Sequence, residues 1–189
     1  MPLPDVKTGV VLLAAGQGKR FGGGKLIAKF RGRPLWEWAA ETAESIDSSE
    51  RVLVIGQNSP ISSRPRWRIV ENPLAEQGMG TSIAAGVRAL TDCDRAIIML
   101  ADMPLVSRAH LERLIATQGV AFTQYPDGTA GCPASFPRLV FALLEALTGE
   151  RGARSLDLKN AELVAPMQAR ELADVDEVAD LEQLYSASW

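Results

Sequence analysis

The chain has one histidine, two cysteines and few aromatic residues, and each scarcity removes a class of protein. His110 has no acidic or cysteine neighbour in sequence, so a Ser-His-Asp or Cys-His hydrolase would have to be built around one helix residue; it reads as a packing residue. Cys93 and Cys132 form no Cys-x-x-Cys pair, which argues against a disulfide framework and for reduced thiols. Aromatic residues make up 6% of the chain, and Trp36, Trp38, Trp67 and Trp189 form no stripe on which bases would stack. The net charge of −3 speaks against a nucleic-acid polymer as partner. No apolar run reaches membrane-span length. The run from Gly9 to Ala15 is short, follows Asp5 and a single Lys7, and continues into a charged glycine loop instead of a signal-peptide cleavage site. It reads as a buried strand, and the protein is expected in the cytoplasm, with no membrane partner. No repeat, low-complexity tract or linker divides the sequence.

What is present is an ordinary globular composition, 47% hydrophobic and 23% charged over 189 residues, enough for one domain with its own core. Leu35, Trp38, Ala39, Thr42, Ala43 and Ile46 recur at helical spacing with Glu37, Glu41 and Glu44 opposite, predicting a helix from near Pro34. Val52 to Ile55 reads as a second buried strand, Ser59 to Arg66 as a surface connection, and Trp67 to Val70 as a third strand. Helices are expected over Ser82 to Leu90 and Ser107 to Thr117, the latter capped by Ser107, with a strand from Ala96 to Leu100 between them. The alternation predicts a three-layer α/β/α, Rossmann-like fold with a mostly parallel sheet. Beyond Val120 the pattern loosens. A strand over Val120 to Thr123, a turn at Pro126-Asp127-Gly128, a helix marked by Val140, Leu143, Leu144 and Leu147, and a last helix with Val178, Leu181, Leu184 and Tyr185 inward are expected. Residues 1–118, where the alternation is regular, and 119–189, where it loosens, read as two halves of a single domain.

The densest signal is Val10-Val11-Leu12-Leu13-Ala14-Ala15-Gly16-Gln17-Gly18-Lys19-Arg20-Phe21-Gly22-Gly23-Gly24-Lys25. A strand-length apolar run empties into a loop with five glycines, two lysines and an arginine, which is how a parallel α/β domain presents amides and charge to phosphate. A Walker A loop is excluded, because Lys19 stands where its first glycine belongs and Leu26 where its Ser or Thr belongs. A dinucleotide fingerprint fails at Phe21, and again at Gly56-Gln57, where the strand-end acid is missing. A second group is Ala96-Ile97-Ile98-Met99-Leu100-Ala101-Asp102-Met103-Pro104, a lone acid just past a buried strand. By itself Asp102 suits either a metal ligand or a strand-end turn.

The loop Leu-Ala-Ala-Gly-x-Gly-x-Arg-Phe-Gly-x-x-Lys resembles the signature of the MobA-like nucleotidyltransferases, and within them most resembles the molybdenum cofactor cytidylyltransferases. Asp102 lies in a match to the family's Gly-Asp-x-Pro, with Ala101 replacing the glycine, and Asn72-Pro73 through Gly78-Met79 to Ser82 resembles its Asn-Pro-x5-Gly-Met-x-x-Ser. The resemblance implies a nucleotide site formed by Leu13, Ala14, Ala15, Gly16, Gly18, Arg20, Phe21, Gly22, Lys25, Asn72, Gly78, Met79, Ser82 and Ala101. Asn72 would face base or ribose, the Gly78 to Ser82 helix start would offer free amides, and Asp102 would carry Mg²⁺ or Mn²⁺. An Asn-Pro turn with a serine cap is the alternative for that segment. Gly149-Glu150-Arg151-Gly152-Ala153-Arg154 resembles the family's Gly-Asp-x-Gly-Ala-Arg, which implies Arg151 and Arg154 as a clamp on the acceptor phosphate, with a solvated helix start as the alternative. Cys132 stands where the family usually has histidine and is an acceptor-side candidate. Asp174-Val175-Asp176 is similar to the family's Asp-x-Asp, making Asp176 either a second metal ligand or a helix cap.

The implied reaction joins a nucleotide to a phosphorylated acceptor with loss of pyrophosphate, with Arg20, Lys25 and Asp102 as its catalytic residues. Ala14-Ala15-Gly16 matches cytidylyl relatives, which favours CTP over GTP. The implied acceptor is a phosphorylated, molybdenum-bearing pterin, and a molybdenum enzyme or its chaperone is a possible client. Rival expectations are another base or a sugar phosphate, a nicotinamide-dependent oxidoreductase, and a binding module without turnover.

Overall fold

A computed structural model describes residues 6–16, 18–156 and 158–186. Nine strands are assigned: β1 (Thr8–Ala14), β2 (Lys29–Phe30), β3 (Arg33–Pro34), β4 (Glu50–Gly56), β5 (Arg68–Asn72), β6 (Arg95–Leu100), β7 (Ala121–Gln124), β8 (Ala130–Pro137) and β9 (Glu162–Val164). The helices are α1 (Leu35–Ser45), α2 (Met79–Arg88), α3 (Arg108–Ala116), α4 (Phe141–Glu145) and α5 (Val178–Ser186).

Seven strands form one sheet in the order β5-β4-β1-β6-β8-β7-β9, while β2 and β3 make a separate hairpin. β8 runs antiparallel to both neighbours, and the other pairings in the sheet are parallel. Because side chains alternate along a strand, β1 feeds two cores at once. Val10 and Leu12 pack with α1 and α3 through Trp36, Ala40, Leu111 and Leu114, whereas Val11 and Leu13 pack with α2 and α4 through Ile83, Val87, Phe141 and Leu144. This is the expected three-layer α/β/α arrangement.

The chain leaves β1 toward β4 on one side and later returns to β6 on the other, so the strand order switches direction at β1. Open α/β sheets bind ligands at the carboxyl end of such a switch, and both the glycine loop and Asp102 emerge there.

Several expectations need correction. The second helix begins at Met79, three residues before Ser82, and α4 is a short helix preceded by a 3-10 turn at Arg138–Val140. On α1 it is Trp36 and Ala40 that are fully inward, while Trp38 is half-buried and donates its indole N–H to Phe30 O at 3.0 Å. On α5 Val178 is exposed, and Tyr185 is half-exposed with its hydroxyl bonded to Lys29 O at 2.8 Å. Ser107 does cap α3, accepting from the His110 amide at 3.1 Å. His110 is fully buried, with Nε2 2.7 Å from Thr123 Oγ1. Both cysteines are free thiols. Trp189 lies outside the described residues. Among the described residues no helix is long and apolar enough to cross a membrane.

Candidate active site

Three adjoining clefts run along the carboxyl edge. The first, about 290 Å³, lies between the glycine loop and the ends of β4 and β5, and its walls include Ala14, Ala15, Gly16, Gln57, Asn58 and Asn72. The second, about 410 Å³, is walled by Leu13, Gly18, Arg20, Lys25, Asp102 and Asp176, together with Gly78, Met79 and Ser82. The third, about 540 Å³, is lined by Phe122, Tyr125, Cys132, Arg151 and Arg154. Ala15, Gly16 and Lys25 border the first and second, and Met79, Leu100 and Glu150 border the second and third.

Lys25 sits at the joint. Its ammonium lies 2.6 Å from Asp102 Oδ2 and 3.3 Å from Asp176 Oδ1, and Arg20 Nη1 lies 3.0 Å from Asp176 Oδ2. Only 9% of the Lys25 side chain is exposed. Burial opposes its charge, but Asp102 and then Asp176 outweigh burial and raise its pKa above the ordinary lysine value. Four charged side chains from segments far apart in sequence therefore meet at one point.

The local reasons are visible. Gly18 takes φ +57°, and the amides of Phe21 and Gly23 donate to its carbonyl at 3.0 and 3.1 Å, folding the loop into a compact turn that hands Lys25 to the floor of the cleft. Asp102 lies two residues past the end of β6, and its carbonyl accepts the amide of Val175 at 3.1 Å. Val175 is fully buried among Phe30, Leu35 and Leu184, which pins the C-terminal Asp-Val-Asp beside Asp102.

This geometry also corrects the sequence reading. The amides of Phe21, Gly22 and Gly23 turn onto carbonyls within the loop, so the whole stretch is not an open phosphate cradle. Phe21 packs against the Phe30 cluster, and among the described residues neither it nor Gly22 lines any of these three clefts. Ala101 is buried, with its amide bonded to Leu13 O at 3.0 Å, and supports the strand end from behind.

Asn72 is 4% exposed. Its Nδ2 donates to Thr81 Oγ1 at 2.9 Å and Ser82 Oγ at 3.0 Å, while Oδ1 accepts from the Leu74 amide at 3.0 Å, so both donor hydrogens are spent inside the protein. The amides of Gly78, Gly80 and Thr81 likewise donate to Ala75 O, Gly149 O and Gly78 O, leaving the helix start with fewer free donors than expected. Gly78, at φ +124°, packs so tightly that a Cβ there would overlap the backbone of Gly149 and Glu150. The Gly78 to Ser82 segment thus packs directly against the loop that begins at Gly149.

Asp176 does not cap α5. The Asp180 carboxylate accepts the amides of Asp176 and Glu177 at 2.8 and 2.7 Å, and the Asp176 side chain is turned to Lys25 and Arg20. The sequence reading also passed over Asp174, whose carboxyl is raised by partial burial and by the charges of Asp102 and Asp176. Alternation around the buried Val175 is the signal that places both acids on one side. Gln57, Asn58 and Ser59 also wall the first cleft, a placement signalled by their position after a strand that neighbours β1.

The donor set is compatible with a divalent cation. Asp102 Oδ1 is buried without a hydrogen-bond partner, and Mg²⁺ is commonly held by one or two carboxylates plus substrate phosphates. Among the described residues no three His, Cys, Asp or Glu side chains gather to hold a metal by themselves. Across the third cleft, burial and then Asp102 push the Cys132 thiol up to about 12, and the Tyr125 hydroxyl bonds Cys132 O at 3.0 Å.

A switch-point glycine loop, a strand-end aspartate and a charged joint between clefts are the features of an α/β nucleotidyltransferase. Residues 10–163 match the MobA-like NTP transferase domain, and the chain belongs to that family. It is 29% identical over 184 residues to the purine catabolism protein PucB of Bacillus subtilis, covering 89% of each chain. It is 31% identical over 191 residues to nicotine blue oxidoreductase of Paenarthrobacter nicotinovorans, covering 93% of each. Among solved structures, Rv0371c of Mycobacterium tuberculosis superposes with a TM-score of 0.80 at 23% identity, over 96% of this chain and 100% of that one. A manganese complex of Rv0371c superposes at 0.78 and 22% identity, over 96% and 99%.

Proposed function

We propose that the protein transfers CMP from CTP to the phosphate of a phosphorylated pterin, releasing pyrophosphate. The observation that carries this reading is the Lys25–Asp102–Asp176–Arg20 cluster in the second cleft, which lies between a first cleft sized for a base and ribose and a third cleft with largely apolar walls. In the reaction an acceptor phosphate oxygen forms a bond to the α-phosphorus as the bond to the pyrophosphate oxygen breaks. The attacking oxygen is already anionic, so positioning and charge neutralisation do the work, which suits a site without a free histidine.

Lys25 and Arg20 would hold the triphosphate oxygens and steady the charge that develops on the departing pyrophosphate. Asp102 and Asp176 would hold a Mg²⁺ or Mn²⁺, which supplies Lewis-acid stabilisation when bound. Asn72 acts as a positioning residue, fixing Thr81 and Ser82 under the second cleft. Arg151 and Arg154 would take the acceptor phosphate, while Phe122, Tyr125 and the neutral Cys132 suit the face of a flat ring. The choice of CTP and of a pterin rests on the resemblance of Ala14-Ala15-Gly16 and of Gly149 to Arg154, and a molybdenum enzyme would be the client in the cytoplasm.

Likeness to an oxidoreductase supports one rival, a nicotinamide-dependent enzyme on the same scaffold. Calorimetric titration of CTP, GTP and NADPH, with and without Mg²⁺, separates the readings. CTP binding that strengthens with Mg²⁺, and needs more Mg²⁺ in Asp102→Asn, is expected. GTP preference would change the product, and NADPH binding without nucleoside triphosphate binding would overturn the proposal.

A further inference from the structure

A second gathering of positive charge lies at the other end of the sheet. A cavity of about 420 Å³ is lined by Glu44 of α1, Arg51 at the start of β4, and Arg64, Pro65 and Arg66 of the following connection. β4 separates it from the nucleotide clefts: Arg51 and Gly56 stand roughly 16 Å apart at strand rise.

The single carboxylate is already engaged. Arg64 donates to Glu44 through Nε at 2.6 Å and Nη2 at 2.8 Å, and the Trp67 indole donates to Glu44 Oε1 at 2.7 Å. Arg64 is steadied further by the Trp36 ring, 5.4 Å from its guanidinium carbon. Three guanidiniums against one carboxylate leave two positive charges in the cavity wall. Among the described residues Arg51 and Arg66 make no ion pair, and Arg51 Nε is sealed from solvent without a partner.

The backbone adds a second, independent sign. Arg64-Pro65-Arg66-Trp67 is a turn closed by the Trp67 amide on Arg64 O at 3.2 Å, and Arg66 sits in it at φ +65°. After proline, that turn position favours glycine, and a branched-off side chain there is strained. Strain held at a position that lines a cavity with excess positive charge points to use of that side chain.

We infer that this cavity is a second anion site, for a phosphate-class oxyanion held by Arg51 and Arg66 and independent of the triphosphate cleft. Paired guanidinium forks match the oxygens of a phosphate or diphosphate. A cavity of this size, open on one side, admits one or two phosphate groups, and the chain's net negative charge disfavours a polymer. The anion is free phosphate or pyrophosphate, or the terminal phosphates of a nucleotide.

The Trp67 indole N–H is a built-in reporter, because it is bonded to the carboxylate that lines the cavity. Pyrophosphate is titrated into ¹⁵N-labelled protein, with the Trp67 signal assigned through Trp67→Phe. The signal should move saturably, and Arg66→Gly should weaken the midpoint about tenfold, as expected for loss of a charge-assisted bond. Arg66→Gly relieves the turn, so its fold is retained and the lost response is not unfolding; Arg51→Met is the second variant. Inorganic phosphate and CTP titrated in parallel separate a free anion from a nucleotide's phosphates. The inference is overturned if pyrophosphate shifts only the Gly18 to Lys25 amides, or if Trp67 responds equally in wild type and Arg66→Gly.

Discussion

The ammonium of Lys25 lies 2.6 Å from Asp102 Oδ2, although the two residues stand 77 positions apart. One comes from the loop after β1 and the other from just past β6, and the parallel pairing of these strands, with Leu13 opposite Leu100, brings both segments to the same sheet edge. In the proposed reaction this cation and anion would each turn to a third partner, the lysine to a phosphate and the aspartate to a divalent cation. The pair is therefore the pivot of the site.

Replacing Lys25 with alanine removes the charge that would be transferred to the phosphates. The loss of charge-assisted contacts of about 1.5–3 kcal/mol predicts roughly a ten- to hundredfold drop in kcat/KM. Steady-state turnover measures it, and an unchanged kcat/KM would take Lys25 out of the reaction.

Asp102→Asn keeps the shape of the side chain and discards its charge. Its fold should persist, while the half-saturating Mg²⁺ concentration for nucleotide binding should rise. Superimposable Mg²⁺ titrations for variant and wild type would remove Asp102 from metal binding.

The strand and helix alternation through α3 was legible because buried parallel strands and amphipathic helices carry clear periodicities. The meeting of glycine loop and Asp102 was legible for the same reason, since both follow strands at one sheet edge. β8 was not: Ala130-Gly131-Cys132-Pro133-Ala134 has neither alternation nor β-branched residues, and its place is set by pairing with β6 and β7. The role of Asn72 was hidden too, because which partners exhaust an amide is a tertiary fact. Asp176 was ambiguous in sequence because a helix cap and a site acid look alike until Asp180 is seen to take the cap.

His110 predicts a pH effect on stability. Thr123 Oγ1 donates to Pro133 O at 2.6 Å, so it accepts from His110 Nε2–H, and Nδ1 is left buried and unprotonated. Burial lowers the His110 pKa, an effect that Glu171 partly offsets and Arg113 reinforces. Below the unfolded value of about 6.5 the unfolded chain takes a proton that the folded one refuses, so stability falls as pH drops. His110→Gln keeps a donor for Thr123 without the titration. Urea denaturation between pH 7.5 and 5 should show the wild type losing more stability than the variant, by up to about 1.4 kcal/mol per pH unit; parallel losses would show that His110 folds equally well protonated.

Cys132 should be a slow thiol despite facing a cleft. With its pKa pushed up to about 12 by burial, native alkylation at pH 8 should run on the order of 10³-fold slower than in the unfolded chain. Cys93, buried and raised to about 11, should also be slow. Iodoacetamide labelling followed by mass spectrometry tests both. Rapid labelling of native Cys132 would show a thiolate, and with it a different role in the third cleft.

Gly80→Ala tests whether the two halves of the site are joined as the packing indicates. Gly80 N donates to Gly149 O at 2.9 Å, and an added Cβ would meet Arg151 O at 2.6 Å and Thr148 O at 2.9 Å. Those neighbours are backbone, so relief requires moving the 148–151 loop, at a cost of about 1–3 kcal/mol. That loop carries Arg151 and leads to Arg154, whereas Lys25, Arg20 and Asp102 are anchored by other elements. The variant should therefore raise KM for the acceptor severalfold and leave CTP affinity within about twofold of wild type, read by turnover and calorimetry on the same preparation. Equal weakening of both ligands would mean that α2 itself shifts, and the loop would then be a support for the nucleotide cleft instead of a wall of the acceptor cleft.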